Sequence, residues 1–158
     1  MFRLKTHDGD ETSISYRIAG NGPPLLLLHG FPQTNMMWHK IAPALAERYT
    51  VVAADLRGYG DSGHPASNAA HAPYSKRAMA ADMAGLMRGL GYHSFMVAGH
   101  DRGGRVAHRL ARDHGDCVTR IAVLDIAPTA AMYGQTDMRF ATAYYHWFFL
   151  IQPAPLPE

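Results

Sequence analysis

The chain of 158 residues has a single cysteine, Cys117, which excludes an internal disulfide and leaves stability to packing; a reducing cytoplasm is the expected compartment. No apolar run approaches the roughly 18 residues of a membrane span, and the opening Met1-Phe2-Arg3-Leu4-Lys5-Thr6-His7-Asp8 lacks the apolar stretch of a secretion leader. Neither membrane nor export is expected. An excess of one charge is also missing: 15 Lys and Arg stand against 13 Asp and Glu, so there is no basic stripe to follow a phosphate backbone and no nucleic-acid partner is expected. Histidine is plentiful, but His108 and His114 are six apart and no pair has ligand spacing with a third partner; no metal and no cofactor are expected. The 47% of hydrophobic residues suffices for one soluble core.

The most informative segment is Gly99-His100-Asp101-Arg102-Gly103-Gly104-Arg105. The apolar run Ser94 to Ala98 before it reads as a buried strand, and Val106, Ala107, Leu110 and Ala111 after it repeat at helical spacing. Strand, tight glycine turn and helix make a nucleophile elbow, in which small residues let the backbone fold sharply and lift the central side chain above the sheet. The central residue is an aspartate where serine is usual. A carboxylate is anionic at neutral pH and attacks without a base. Attack at a saturated carbon leaves an aspartyl ester that water can open, whereas serine would leave a stable ether. The expected electrophile is therefore a carbon-halogen bond or an epoxide. The competing reading is a structural aspartate in a glycine-rich turn.

Arg102 and Arg105 are three apart at the start of the helix and can share a face. Guanidinium forks grip carboxylates, and two cations offset the repulsion between an anionic nucleophile and an anionic substrate; a small acid is expected. Their alternative is solvation or pairing with Asp113 or Asp116. Upstream, Leu25-Leu26-Leu27-Leu28-His29-Gly30-Phe31-Pro32 is a short strand ending in a turn that frees N–H groups. In hydrolases with an elbow, this loop and the residue after the nucleophile donate to the oxyanion, here the backbones of Phe31 and Arg102.

Taken together, His29-Gly30-Phe31-Pro32, Asp55-Leu56-Arg57-Gly58-Tyr59-Gly60-Asp61-Ser62 and His100-Asp101-Arg102-Gly103-Gly104-Arg105 resemble the α/β-hydrolase superfamily, and within it the haloacetate (fluoroacetate) dehalogenases. Epoxide hydrolases and haloalkane dehalogenases share the aspartate but typically follow it with Trp. The resemblance implies that Asp125, after the run Ile121 to Leu124, is the acid that orients a catalytic histidine, and that His146 and Trp147 bind the departing halide. On the residues alone, Asp125 reads equally as a cap or turn residue and Tyr144 to Phe149 as an amphipathic core segment. Relatives of this kind are about twice as long and carry the base histidine near their C-terminus. Nothing here matches that histidine, nor the tyrosine of the halide site, so the chain is expected to be a truncated form that can make the ester yet opens it poorly.

Residues 2 to 18 read as a hairpin turning at Asp8-Gly9. Strands at Leu25 and Val51, helices from about Met37 to Arg48 and Lys76 to Leu90, the elbow, and a strand at Ile121 follow. The fold class is α/β: an α/β-hydrolase core with a mostly parallel sheet, residues 1–127, followed by the start of a helical cap, residues 128–158. Gly58-Tyr59-Gly60-Asp61-Ser62-Gly63 fits a dinucleotide glycine pattern, but His64-Pro65-Ala66-Ser67-Asn68 after it is a loop, not a helix. The tail Gln152 to Glu158 is Pro-rich and reads as a loop. An open edge at Ile121 to Ile126 and the aromatic run Tyr144 to Phe149 make aggregation or a homodimer plausible. The expected partners are a haloacid substrate and water. Hydrolytic dehalogenation of small 2-halo acids is the leading reading, with an epoxide hydrolase or a non-catalytic remnant as alternatives.

Overall fold

The computed structural model describes residues 1–153, 155 and 156; Ala154, Pro157 and Glu158 of the Pro-rich tail lie outside the described residues. Two compact units are present, Met1–Ile126 and Ala127–Glu158. In the first, β1 (Arg3–Asp8) and β2 (Ser13–Ala19) form the expected hairpin, followed by β3 (Pro24–Leu28), α1 (Ala42–Ala46), β4 (Thr50–Ala54), α2 (Lys76–Gly89), β5 (Phe95–His100), α3 (Arg102–Asp113) and β6 (Val118–Leu124). The six strands run in the order β1-β2-β4-β3-β5-β6. β4, β3, β5 and β6 are mutually parallel, and β2 joins β4 antiparallel.

The continuous apolar runs explain the sheet's interior. Leu25 to Leu28 and Val51 to Ala54 are buried on both sides, as strands covered by helices must be. On one face Leu26, Leu28, Val52 and Ala54 pack with Met79, Met83 and Met87 of α2 and Val106 and Leu110 of α3. On the other, Leu25, Leu27, Val51 and Ala53 pack with Trp38 and Ala42.

One expected helix is corrected. In place of a helix from Met37 to Arg48 there is a 3-10 turn, Asn35–Trp38, and then the five-residue α1. Pro43 sits in the first turn of α1, where its missing N–H is harmless, but its ring cannot accept a preceding helical turn. The glycine-rich stretch after β4 is a turn wound round a buried carboxylate: Asp55 Oδ1 accepts from Asn35 N at 2.6 Å and Oδ2 from Asp61 N at 3.3 Å. β6 is the sheet's edge, with Ile121, Val123 and Leu124 exposed. Among the described residues the second unit holds three short helices, α4 (Thr129–Gly134), α5 (Met138–Ala143) and α6 (Tyr145–Leu150); Trp147 and Phe148 of α6 meet the rings of Tyr133 in α4 and Phe140 in α5. No helix among the described residues is long and apolar enough to cross a membrane.

Candidate active site

Asp101 sits between the end of β5 and the start of α3 at φ 48° and ψ −116°. With ψ at −116° this lies outside the left-handed helical region that asparagine and aspartate tolerate, and such strain collects at functional positions. Tight packing holds the turn. A Cβ on Gly99 would collide with the Gly103 carbonyl and lie 2.6 Å from Gly104 N. Asp101 N donates to Leu124 O at 3.2 Å, and Asp101 O accepts from Arg105 N at 3.2 Å.

The turn after β3 meets this elbow. Phe31 N donates to Asp101 Oδ2 at 3.1 Å. Gly30 makes the approach feasible, since a Cβ there would lie 2.6 Å from Asp101 Cβ and 2.8 Å from Oδ2. The other donor expected for the oxyanion, the backbone of Arg102, opens α3 directly after Asp101. Its guanidinium carbon lies 5.1 Å from the Phe31 ring centroid, within cation–π range. Arg105 is half-buried one turn on, with Nε and Nη2 shielded from solvent. The structure thus gathers Phe31, Asp101, Arg102 and Arg105 at the carboxyl ends of β3 and β5, where parallel sheets place ligands.

Asp125 also takes a left-handed φ, 52°, at the end of β6. Its carboxylate is exposed and lies 3.8 Å from His100 Nε2. His146 and Trp147, expected at a halide site, are neighbours in α6 with ring centroids 6.4 Å apart; they belong to the second unit.

His29 is structural. Its Nδ1–H donates to Gly30 O at 2.9 Å, and its Nε2 accepts from Leu56 N at 3.0 Å, so both nitrogens are engaged in one neutral tautomer. Burial pushes its pKa below the ordinary 6.5, against smaller upward effects of the Gly30 carbonyl and Asp55. The unfolded chain therefore binds a proton that the native state rejects. The resulting stability is complete above pH 6.5 and is lost as pH falls below it, by up to about 1.4 kcal/mol per pH unit. Urea midpoints measured from pH 7 to pH 5 should show this slope, and His29→Gln should flatten it.

Sequence reasoning missed Lys76. Burial, then Arg102 and Arg105, push its pKa down to about 8, while Asp101 acts the other way. A signal was present in the sequence. Helix N-termini favour acidic residues, yet α2 and α3 have none in their first turns and open on Lys76-Arg77 and Arg102-Gly103-Gly104-Arg105.

A family model for the alpha/beta hydrolase fold matches residues 23–157. The chain is 54% identical to a fluoroacetate dehalogenase of Burkholderia sp over 157 residues, covering 99% of this chain and 52% of that one. It is 44% identical to a soluble epoxide hydrolase of Corynebacterium sp. (strain C12) over 135 residues, covering 85% and 46%. The crystal structure of ALR0039 from Nostoc sp PCC 7120 superposes with a TM-score of 0.94 at 62% identity, covering 96% of this chain and 52% of that one. The chain spans about half the length of the curated relatives it matches.

Proposed function

The chain belongs to the α/β-hydrolase fold family, and from that premise we propose that its site performs the nucleophilic half of hydrolytic dehalogenation on small 2-halo acids, with Asp101 as nucleophile. The observation that carries this reading is the 3.1 Å hydrogen bond from Phe31 N to Asp101 Oδ2. It differentiates the two carboxylate oxygens: Oδ2 is held, and Oδ1 is the oxygen left to attack. In the first step Oδ1 forms a bond to the carbon bearing the halogen, and that carbon–halogen bond breaks as halide leaves with the electron pair. Arg102 and Arg105 offset the charge of the substrate's carboxylate as it approaches the anionic nucleophile.

The product is an aspartyl ester whose carbonyl oxygen is Oδ2. When water adds to that carbonyl, negative charge develops on Oδ2, where the Phe31 N–H already points. Collapse releases the hydroxy acid and a proton and returns Asp101 to its carboxylate. In this reading Asp125, at the end of β6, orients the histidine that removes the proton from water. His29 is unsuited to the base role because both of its nitrogens are engaged.

The close relatives include a fluoroacetate dehalogenase and a soluble epoxide hydrolase, so the test sets their electrophiles side by side. Intact-mass spectrometry follows the chain with chloroacetate, fluoroacetate and a small neutral epoxide, and peptide mapping locates any adduct. The expected result is one ester at Asp101 from the haloacids, absent in Asp101→Asn; asparagine is chosen because it keeps the size and shape of aspartate without the anionic oxygens. Alkylation by the epoxide alone would establish the epoxide-hydrolase reading. A folded chain that takes up none of the three, and releases no halide, would be the non-catalytic remnant.

A further inference from the structure

We propose that Lys76 is a third cationic group of the anion site, set beside Arg102 and Arg105, and that it helps select substrates whose electrophilic carbon carries a carboxylate. The inference rests on the reading of Asp101 as nucleophile and adds a residue from a different helix. Topology places it there. β5 runs parallel to β3 and β4, so α2, which precedes β5, travels from the carboxyl ends of the strands back to their amino ends. The first residue of α2 therefore lies on the rim from which Asp101 and Arg102 emerge.

Three contacts fix that first residue. Ser75 caps α2, its Oγ accepting from Ala78 N at 3.2 Å. Two residues earlier, the Pro73 carbonyl accepts from the Nη1 of buried Arg57 at 2.7 Å. Tyr74 between them donates its hydroxyl to Pro65 O at 2.7 Å. From this anchored position the half-buried Lys76 lies 3.5 Å, Nζ to Sδ, from Met79, a weak acceptor for an ammonium. Its electrostatic neighbours are Arg102, Arg105 and Asp101 of the elbow. The four groups carry three positive charges and one negative, at the starts of two helices whose dipoles also favour an anion.

Burial first, and then the two neighbouring guanidinium groups, push the Lys76 pKa down to about 8. An anion seated among the three would restore that proton. The ammonium is thus a recognition element that is strongest below pH 8 and fades above it.

The test is the selectivity of Asp101 for chloroacetate over chloroacetamide, a neutral reagent of nearly equal size with the same leaving group. Cys117→Ser serves as the background so that the thiol does not compete. Lys76→Met keeps the apolar stem and is expected to lower the chloroacetate-to-chloroacetamide rate ratio about fivefold, roughly what one partly screened charge contributes. In the chain with Lys76 the ratio should fall between pH 7 and pH 9; in Lys76→Arg it should stay high across that range. A ratio unmoved by Lys76→Met overturns the inference. If Asp101 is not alkylated by either reagent, the nucleophile reading fails, and Lys76 is then judged by anion binding alone. In the Asp101→Asn chain, the Kd of glycolate from chemical-shift titration should rise about fivefold with Lys76→Met; an unchanged Kd also overturns it.

Discussion

Gly103→Ala is expected to destabilise the first unit by about 3 kcal/mol or more and to abolish alkylation at Asp101, whereas Gly85→Ala should stabilise it by about 0.5–1 kcal/mol. Both glycines lie inside helices, and propensity alone would make both substitutions favourable. Their surroundings decide the sign. A Cβ on Gly103 would collide with the Leu28 and His29 carbonyl oxygens and lie 2.6 Å from the Leu28 carbonyl carbon. These are backbone atoms at the end of the central strand β3, so no side chain can rotate away. α3 must instead lift from the sheet, carrying Asp101 off the Phe31 N–H that holds Oδ2 at 3.1 Å. Gly85, by contrast, has nothing within 4 Å of the position a Cβ would take. Urea unfolding of the two variants, with chloroacetate labelling of each, separates the effects. A Gly103→Ala chain as stable and as reactive as the parent would show that the elbow does not depend on this close approach.

The same contrast shows what the sequence could and could not disclose. Strands β3, β4 and β5 were legible because their apolar runs are short, unbroken and flanked by turn residues. The elbow was legible because glycines and a lone acid follow one such run directly. The start of the helix expected from Met37 differs because apolar spacing from Met37 to Leu45 suggests one continuous helix, whereas in the structure Pro43 lies in the first turn of α1 and its ring bars a preceding helical turn. Lys76 escaped notice for another reason. Its role depends on α2 delivering its first turn to the rim of the sheet, a relation between residues 25 positions and more apart that no local pattern contains. Its only trace was a helix opening on cations where an acid would be favoured. Local rules broken without local reason tend to mark functional positions.

Arg57 is the largest fully buried side chain in the first unit, and nothing in its glycine-rich neighbourhood foretells this, since arginine is rarely inside. Its Nε and Nη2 donate to Asp82 Oδ2 and Oδ1, each at 2.6 Å, and Nη1 donates to Glu11 Oε2 at 3.0 Å as well as to Pro73 O. Arg57→Met should cost about 3–5 kcal/mol, because it leaves the nearly buried Asp82 without its cation; Glu11, largely exposed, contributes little. Replacing both partners, as Arg57→Met with Asp82→Leu, should recover most of that loss, since an apolar pair of similar volume needs no desolvation. The pH dependence supplies an independent check. Burial already raises the Asp82 pKa above 3.8, with Arg57 pulling it back; removing Arg57 raises it further. A raised carboxyl favours the native state at low pH and penalises it as pH rises through the folded value. The Arg57→Met chain should therefore regain stability relative to the parent as pH falls from 7 to 5, while the double variant should not. Because Arg57 also holds Pro73, three residues before Lys76, the double variant should keep its fold yet lose chloroacetate selectivity. A double variant with restored stability and undiminished selectivity would separate the buried network from the anion site.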